Sequence, residues 1–163
     1  MNKAIFLDRD GVINKEIGYV FQVENFVLTD EIIPALKKLQ AAGYIFIVVT
    51  NQSGIAKDLY TQSDVETVHK YMLSLLNKND IHISEIYYCT HHPDVEPCTC
   101  RKPDSGMLEK GIARFNIDVK RSYMIGDKER DIQAAEKAGV KGIHIESDAP
   151  LLKIADDIIN GKI

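Results

Sequence analysis

Short apolar runs alternate with amphipathic helical segments along the whole chain, and this alternation restricts the fold more than any other feature. The runs predicted as buried strands are Ala4–Leu7, Tyr44–Val49, Ile86–Tyr88, Ser122–Ile125 and Gly142–Ile145. The segments predicted as helices are Glu31–Ala42, Ser63–Leu76, Met107–Phe115, Glu129–Ala138 and Pro150–Ile159. This order predicts an α/β fold, a Rossmann-like parallel sheet with helices on both faces.

The first predicted helix carries boundary signals at both ends. Thr29 or Asp30 could cap its N-terminus, and Gly43 follows its last turn, where glycine commonly ends a helix. Pro34 falls in the first turn, where a missing N–H is tolerated. These signals support a helix directly before the second strand.

Size and charge exclude several classes of protein. The 163 residues fit one domain with a sizeable core, so we expect a single domain over residues 1–163. A net charge of −4 argues against general nucleic-acid binding. No apolar run approaches the roughly 20 residues of a membrane span, and the N-terminus turns acidic too soon for a signal peptide. We therefore expect a cytoplasmic protein that binds neither nucleic acid nor membranes.

Polar residues follow three of the predicted strands. DRDG (Asp8–Gly11) follows the first strand, TNQSG (Thr50–Gly54) the second and GDKERD (Gly126–Asp131) the fourth. CRKP (Cys100–Pro103) lies in a long irregular stretch before the fourth strand. Because ligands of parallel α/β sheets bind beyond the carboxyl ends of the strands, we expect these segments to form one site.

The acidic residues of these segments indicate phosphoryl transfer assisted by a divalent metal. Asp8, Asp10 and Asp127 would repel one another without a cation, and oxygen ligands suit Mg²⁺. A carboxylate after the first strand can attack phosphorus and form an aspartyl-phosphate. The aspartate two residues on can act as general acid and then activate water. Asp131 fits a position behind the ligands, or in the first turn of a helix, better than direct ligation.

Two further side chains have the chemistry to bind a phosphoryl group. The Thr50 hydroxyl could donate a hydrogen bond to its oxygens, and the Lys102 ammonium could neutralise its charge in the transition state. Either residue alone has an ordinary explanation, as the end of a strand or a surface lysine. Their combination with the aspartates favours a catalytic site.

Cysteine and histidine residues cluster between the third predicted strand and the next helix. The segment CTHHPDVEPCTC contains Cys89, Cys98 and Cys100 together with two adjacent histidines. Three thiolates and an imidazole are typical of a closed structural zinc site. The segment is poor in apolar residues, so a zinc ion would hold it in place of packing, directly before Lys102. Reduced surface thiols and a Cys98–Cys100 redox pair are the alternatives.

Four of these motifs resemble those of the haloacid-dehalogenase (HAD) superfamily of aspartate-dependent phosphatases. They are FLDRDG, VVTNQ, the lysine of CRKP and IGDKERD, spread over Ile5–Asp131. Within the superfamily, FLDRDGVIN, GYV, VVTNQSGIA, YYCTHHP, CTCRKP and YMIGDK resemble the D-glycero-D-manno-heptose 1,7-bisphosphate phosphatases, to which histidinol-phosphate phosphatases are related. The resemblance covers most of the chain and fades after about Gly142.

The resemblance implies a role for each matching residue. Asp8 is implied as the nucleophile and Asp10 as the acid/base, with Thr50 and Lys102 binding the phosphoryl group. The implied magnesium ligands are Asp8, the carbonyl of Asp10, and Asp127. The implied zinc ligands are Cys89, His91 (not His92), Cys98 and Cys100. The residues implied to contact the substrate are Glu16, Ile17, Gly18, Tyr19, Asn51, Gln52, Ser53, Arg101 and Lys128.

Many members of this superfamily carry a large cap domain, for which the segments between the predicted strands are too short here. We therefore expect an open site that only loops cover. These are Lys15–Leu28, Gln52–Lys57 and the segment Thr90–Ser105, which contains most of the expected zinc ligands and is called the zinc loop. Such a site suits a small phosphorylated sugar, and Lys57, Arg101 and Lys128 could bind a second phosphate. The resemblance implies a monomeric, Mg²⁺-dependent enzyme that removes the 7-phosphate of a heptose bisphosphate, on a route to heptose-containing surface glycans.

Other functions share most of these residues. Histidinol-phosphate hydrolysis would use the same core, as would hydrolysis of another small sugar phosphate or transfer to another alcohol. A non-catalytic, zinc-stabilised binding module would not need Asp8 and Asp10 together. Glu129 is expected to face solvent, and His69, His82 and His144 are expected to be surface or packing residues.

Overall fold

The computed structural model describes all residues, 1–163, and contains one sheet of five parallel strands. The strands are β1 (Lys3–Leu7), β2 (Tyr44–Asn51), β3 (Ile83–Cys89), β4 (Tyr123–Gly126) and β5 (Lys141–His144). Their spatial order is β3-β2-β1-β4-β5, so β1 is central and pairs with β2 and β4. This order places the ends of β1, β2 and β4 side by side at one edge of the sheet.

Five helices cover both faces of this sheet, which confirms the predicted fold class. They are α1 (Ile32–Ala41), α2 (Gln62–Asn77), α3 (Gly106–Phe115), α4 (Glu129–Lys137) and α5 (Leu152–Ile159). Because side chains alternate along a strand, Ile5 and Leu7 of β1 pack in the cluster that contains residues of α1, α2 and α5. Ala4 and Phe6 pack in the second cluster, with residues of α3 and α4.

Two local features differ from the sequence prediction. The proposed cap at Thr29 or Asp30 is wrong, since Glu31 precedes α1 with φ +62° and no side chain caps the helix. The Thr29 hydroxyl instead donates to the Val12 carbonyl at 2.6 Å. Strand β3 begins three residues earlier than predicted because it is an edge strand, paired only with β2, and its half-buried polar residues hide it from an apolar pattern.

No cap domain is inserted between the strands. Between β1 and α1 the chain forms a loop with a single 3₁₀ turn, Val23–Asn25, and between β2 and β3 the only regular element is α2. A second 3₁₀ turn, Val119–Arg121, precedes β4. None of the five helices combines the length and the apolar character needed to cross a bilayer.

Candidate active site

Asp8 follows the last residue of β1 and is held by two hydrogen bonds. Its Oδ1 accepts from the Arg9 backbone N–H and from the Lys102 ammonium, both at 2.9 Å. Burial raises the pKa of Asp8 to about 7, and the Lys102 charge opposes that rise. Both hydrogen bonds are to Oδ1, so Oδ2 is the oxygen available for chemistry.

Lys102 lies behind Asp8 and is almost completely buried. Its Nζ is 2.6 Å from Asp131 Oδ1 and donates to the Val49 carbonyl at 2.8 Å. Burial alone would lower the pKa of Lys102, but the Asp8 and Asp131 carboxylates raise it above its usual value. The site therefore contains a permanent positive charge next to Asp8.

Asp131 is a buried partner of Lys102 on the first turn of α4. It is 0% exposed, and its Oδ2 accepts from the Lys128 backbone N–H at 3.0 Å. A β-carbon on Gly126 would overlap the Asp131 side chain, so the end of β4 requires glycine. Asp131 thus lies behind Asp8 and is absent from the lining of the cavity above it.

Asp127 completes a group of three buried carboxylates. One oxygen each from Asp8, Asp127 and Asp131 lie within 4.8 Å of one another. Oδ2 of Asp127 contacts the Ser147 hydroxyl and lies 2.9 Å from Lys128 Nζ, whereas Oδ1 is buried without a hydrogen-bond partner. A buried carboxylate oxygen without a donor is costly, so its environment fits coordination of a cation.

The turn after Asp10 leaves space for the Asp127 carboxylate. Gly11 has φ +83°, and a β-carbon there would overlap the Asp127 carboxylate. Any other residue at this position would be strained and would displace Asp127. The glycine of DRDG thus brings the first and fourth strands' aspartates together.

The Asp10 carboxylate is oriented by donors from three positions in the chain. Arg9 Nη2 donates to Oδ1 at 2.9 Å, Asn14 Nδ2 donates to Oδ1 at 2.9 Å, and Gln52 Nε2 donates to Oδ2 at 3.2 Å. These contacts occupy the side chain, which does not belong to the group of three carboxylates. Asp8 and Asp10 are therefore only two positions apart in sequence but are held by different side chains.

The end of β2 connects both aspartates to the rest of the site. Asn51 Nδ2 donates to the Lys102 carbonyl and Asn51 Oδ1 accepts from the Lys102 N–H, both at 3.0 Å. Gln52 Nε2 donates to the Thr50 hydroxyl at 3.0 Å, and Gln52 Oε1 accepts from the Tyr60 hydroxyl at 2.8 Å. Asn51 and Gln52, expected to contact substrate, thus also hold catalytic candidates in place.

A polar cavity opens above Asp8 and Asp10. The residues predicted from the sequence that line it are Asp8, Asp10, Glu16, Gly18, Tyr19, Thr50, Asn51, Gln52, Ser53 and Lys128. The remaining lining residues are Val20, Tyr60 and Arg130. Lys57 borders the cavity, since its Nζ lies 3.4 Å from the Tyr19 hydroxyl.

Two predicted substrate residues lie outside this cavity. Ile17 is 60% exposed and is absent from the lining. Arg101 Nη1 donates to the His91 carbonyl at 3.4 Å, and its side chain lines a separate cleft with Pro93 and Glu96. Of the three cations expected to bind a second phosphate, Lys57 and Lys128 therefore lie at the cavity and Arg101 does not.

Sequence reasoning overlooked several residues that shape the site. Arg9 is completely buried, and Arg130 lines the cavity as an exposed guanidinium without an ion-pair partner. The sequence signal that could have indicated Arg130 is its position two residues after Lys128 in GDKERD. In the structure both residues line the cavity at the start of α4. Asp148 Oδ1 accepts from the Glu16 N–H at 2.8 Å, and its own N–H donates to the Gly11 carbonyl at 2.9 Å. No sequence signal indicated this link.

The cysteine cluster forms a second set of side chains that could hold a metal ion. One ligand atom each from Cys89, His91, Cys98 and Cys100 lie within 4.8 Å of one another. His91 Nδ1 lies 3.4 Å from Cys89 Sγ and 3.2 Å from Cys100 Sγ, whereas His92 Nδ1 lies 3.4 Å from Asp94. All three cysteines are free thiols. The adjacent histidines therefore point to different partners, and His91 belongs to the cluster.

Sequence comparison identifies relatives over most of the chain. A HAD-hydrolase-like family model matches residues 99–150. The D-glycero-beta-D-manno-heptose-1,7-bisphosphate 7-phosphatase of Haemophilus influenzae is 44% identical over 86% of this chain and 79% of the relative. The D-glycero-alpha-D-manno-heptose-1,7-bisphosphate 7-phosphatase of Photorhabdus laumondii is 40% identical over 85% of this chain and 79% of the relative.

Structural comparison agrees with these relatives. The D,D-heptose 1,7-bisphosphate phosphatase of B. bronchiseptica, solved with magnesium and phosphate, superposes with a TM-score of 0.85 at 26% identity, covering 98% of this chain and 99% of that one. The match to the Haemophilus influenzae phosphatase extends over 86% of this chain. Together with the buried Asp8–Lys102 pair and the cavity above it, this match identifies a phosphoric monoester hydrolase. The chain belongs to the HAD-superfamily phosphatases, in the family that contains the heptose-1,7-bisphosphate 7-phosphatases.

Proposed function

We propose that this enzyme hydrolyses the 7-phosphate of D-glycero-D-manno-heptose 1,7-bisphosphate through an aspartyl-phosphate on Asp8. The observation that carries the proposal is the position of Asp8, whose Oδ1 is held by Lys102 while Oδ2 is left available beside the cavity. The names of relatives more than 40% identical to this chain support the substrate. The same resemblance underlies our expectation of one domain, residues 1–163, acting as a monomer.

The reaction begins with attack by Asp8 Oδ2 on the phosphorus of the substrate. The bond between phosphorus and the sugar oxygen breaks, and Asp10 gives its proton to the departing oxygen. Asp10 then takes a proton from a water molecule whose oxygen attacks the phosphorus. The bond between phosphorus and Asp8 breaks, which releases inorganic phosphate and regenerates both side chains. The chain's own residues thus supply the nucleophile and the proton.

Fixed charges and dipoles around Asp8 support both steps. Lys102 compensates charge on Asp8 and on the phosphoryl oxygens, and it is already buried in an environment where such charge acts strongly. The Thr50 hydroxyl lines the cavity and can donate to a phosphoryl oxygen, since it accepts its own hydrogen bond from Gln52. These groups require little rearrangement when the substrate binds.

Mg²⁺ fits the group of carboxylates beside the cavity. Asp8 and Asp127 would hold it together with the carbonyl of Asp10, and the buried, unpartnered Oδ1 of Asp127 supports this assignment. When bound, it would neutralise charge that otherwise opposes the approach of a carboxylate to a phosphate. Zn²⁺ fits the set formed by Cys89, His91, Cys98 and Cys100, where soft ligands favour a structural ion.

The cations at the edge of the cavity could bind the second phosphate of the substrate. Lys128 and Arg130 line it, and Lys57 borders it through Tyr19. These cations complement an additional phosphate, whereas they would repel the ammonium group of histidinol phosphate. This difference favours the bisphosphate over the histidinol-phosphate alternative.

A substrate panel tests the proposal. Phosphate release would be measured with Mg²⁺ on both anomers of the heptose bisphosphate, on a heptose monophosphate and on histidinol phosphate. We expect the highest kcat/KM for a heptose bisphosphate. A higher kcat/KM for histidinol phosphate would overturn the substrate assignment, and phosphate release by Asp8→Asn at the wild-type rate would overturn the mechanism.

A further inference from the structure

Arg9, the residue between the two aspartates, is buried completely. Its side chain is 0% exposed although a guanidinium is permanently charged. A buried charge is tolerated only with partners, so its contacts indicate what it does. Those partners are Asp10, the Val20 carbonyl and His69.

The contact between Arg9 and Asp10 involves two guanidinium nitrogens. Nη2 donates to both carboxylate oxygens, at 2.9 and 3.1 Å, and Nε lies 3.3 Å from Oδ1. Because the guanidinium is planar and rigid, this contact restricts rotation of the Asp10 carboxylate as well as its distance. Arg9 therefore controls the direction in which Asp10 presents its oxygens.

His69 contacts the opposite side of the Arg9 guanidinium. It lies on α2, is 6% exposed, and its Nε2 is 3.3 Å from Arg9 Nη1. Burial, with a smaller contribution from Arg9, lowers the pKa of His69 to about 3, so the ring is neutral and Nε2 can accept. The Tyr88 ring packs edge-on against it, with centroids 5.4 Å apart. The imidazole is thus fixed in position and cannot repel Arg9 as a second cation.

The remaining Arg9 contact reaches the loop over the cavity. Arg9 Nη2 donates to the Val20 carbonyl at 2.8 Å, and Val20 lines the cavity beside Gly18 and Tyr19. One side chain therefore joins Asp10, the loop that covers the site and helix α2. Neither Arg9 nor His69 lines the cavity itself.

We propose that Arg9 and His69 are positioning residues, which act through Asp10. His69 holds Arg9, and Arg9 holds the Asp10 carboxylate where it can protonate the leaving oxygen and later deprotonate water. The inference rests on the proposed function, since it requires Asp10 as the acid/base. It extends that function to a helix whose side chains lie outside the cavity.

The test compares two esters that differ in their need for an acid. A sugar phosphate has a poor leaving group, so its cleavage requires the Asp10 proton. In p-nitrophenyl phosphate the leaving group is p-nitrophenolate, which departs without being protonated. His69→Met should lower kcat/KM for the sugar phosphate at least about tenfold. The kcat/KM of this variant for p-nitrophenyl phosphate should stay within about twofold of the wild-type value. His69→Gln, which restores an acceptor for Arg9, should recover most of the loss.

A second readout addresses the hydrolysis of the intermediate. Because Asp10 also activates water, His69→Met should release p-nitrophenol in a pre-steady-state burst as phosphoenzyme accumulates. Val68→Ala removes buried packing from the same helix and should leave the ratio of the two kcat/KM values unchanged with no burst. The ratio does not depend on the folded fraction, so a destabilised variant remains informative.

The outcomes separate this inference from the proposed function. An equal loss of kcat/KM on both esters in His69→Met, or no loss on either, would overturn the positioning role while leaving Asp8 chemistry intact. A wild-type enzyme that releases phosphate from neither ester would overturn the proposed function and this inference together.

Discussion

Lys102 Nζ lies 2.6 Å from Asp131 Oδ1, and both side chains are excluded from solvent, at 1% and 0% exposure. The pair joins the loop between β3 and α3 to helix α4, directly behind Asp8. Lys102 also pairs with Asp8, so the positive charge beside Asp8 depends on Asp131, a residue that does not line the cavity. The three positions therefore form one electrostatic unit.

Asp131→Asn should reduce both stability and turnover. Breaking a buried ion pair typically costs about 3–5 kcal/mol when the remaining charge is left uncompensated, and because Asp8 still pairs with Lys102, we expect a loss toward the lower end of that range. Lys102 would then pair with Asp8 alone and make that carboxylate a weaker nucleophile. Urea unfolding and kcat measured on the same preparation would check both effects.

An exposed ion pair of the same length provides the matched control. Lys38 Nζ lies 2.6 Å from Asp156 Oδ1, but these side chains are 49% and 44% exposed. Asp156→Asn should cost about 1 kcal/mol or less and leave kcat unchanged. Equal stability losses in the two variants would contradict the role assigned to burial.

Loss of the zinc ion that we expect in the cysteine cluster should loosen the position of Lys102. Cys98→Ser should lose the equimolar zinc that we expect in the wild type, become sensitive to proteolysis between residues 90 and 105, and lose most of its activity. The physical reason is that Lys102 follows the last ligand, Cys100, by two residues. His92→Gln should retain zinc and activity, and loss of zinc in that variant would contradict the ligand assignment.

Arg130 should determine the preference for a second phosphate. Arg130→Gln should lower kcat/KM for the heptose bisphosphate about tenfold, the equivalent of roughly 1.4 kcal/mol, with little change for a heptose monophosphate. Arg121→Gln, at an exposed position on the 3₁₀ turn Val119–Arg121, is the control. If Arg101→Gln reduced the selectivity and Arg130→Gln did not, Arg101 would be the residue that binds the second phosphate.

The buried His69 should make stability depend on pH. Its pKa is lowered from 6.5 to about 3, so below pH 6.5 the unfolded chain binds a proton that the folded protein excludes. Arg9 and Tyr88 are the ionisable groups that face the ring. Between pH 7 and pH 5, wild type should lose about 2 kcal/mol of unfolding free energy relative to His69→Gln. Identical pH profiles would show that His69 is not buried as a neutral ring.

Most of the fold could be predicted because its strands carry a strong local pattern. β1, β2 and β4 are apolar runs buried on both faces, and the polar residues that follow them were placed at one edge of the sheet. The edge strand β3 was underestimated because Ser84 and Glu85 lie within it. The cap of α1 was misassigned, although its start was predicted to within one residue, because the Thr29 hydroxyl bonds to Val12, a partner that is distant in sequence.

The parts of the site that could not be predicted depend on long-range packing. Arg9 lies beside two aspartates in a segment that could equally be solvated, and one of its buried partners is His69, sixty positions away. Arg101 follows a cluster cysteine as expected, but its side chain turns toward the His91 carbonyl and away from the cavity. Local sequence specifies the type of chemistry, whereas side-chain direction depends on neighbours from other elements.

The most direct test of the account is rapid acid quenching of the enzyme during turnover, followed by mass spectrometry of the peptide that contains Asp8. We expect a phosphoryl group on Asp8 that hydroxylamine removes, and neither this adduct nor phosphate release in Asp8→Asn. A phosphoryl group on a different residue, or full turnover by Asp8→Asn, would contradict the mechanism.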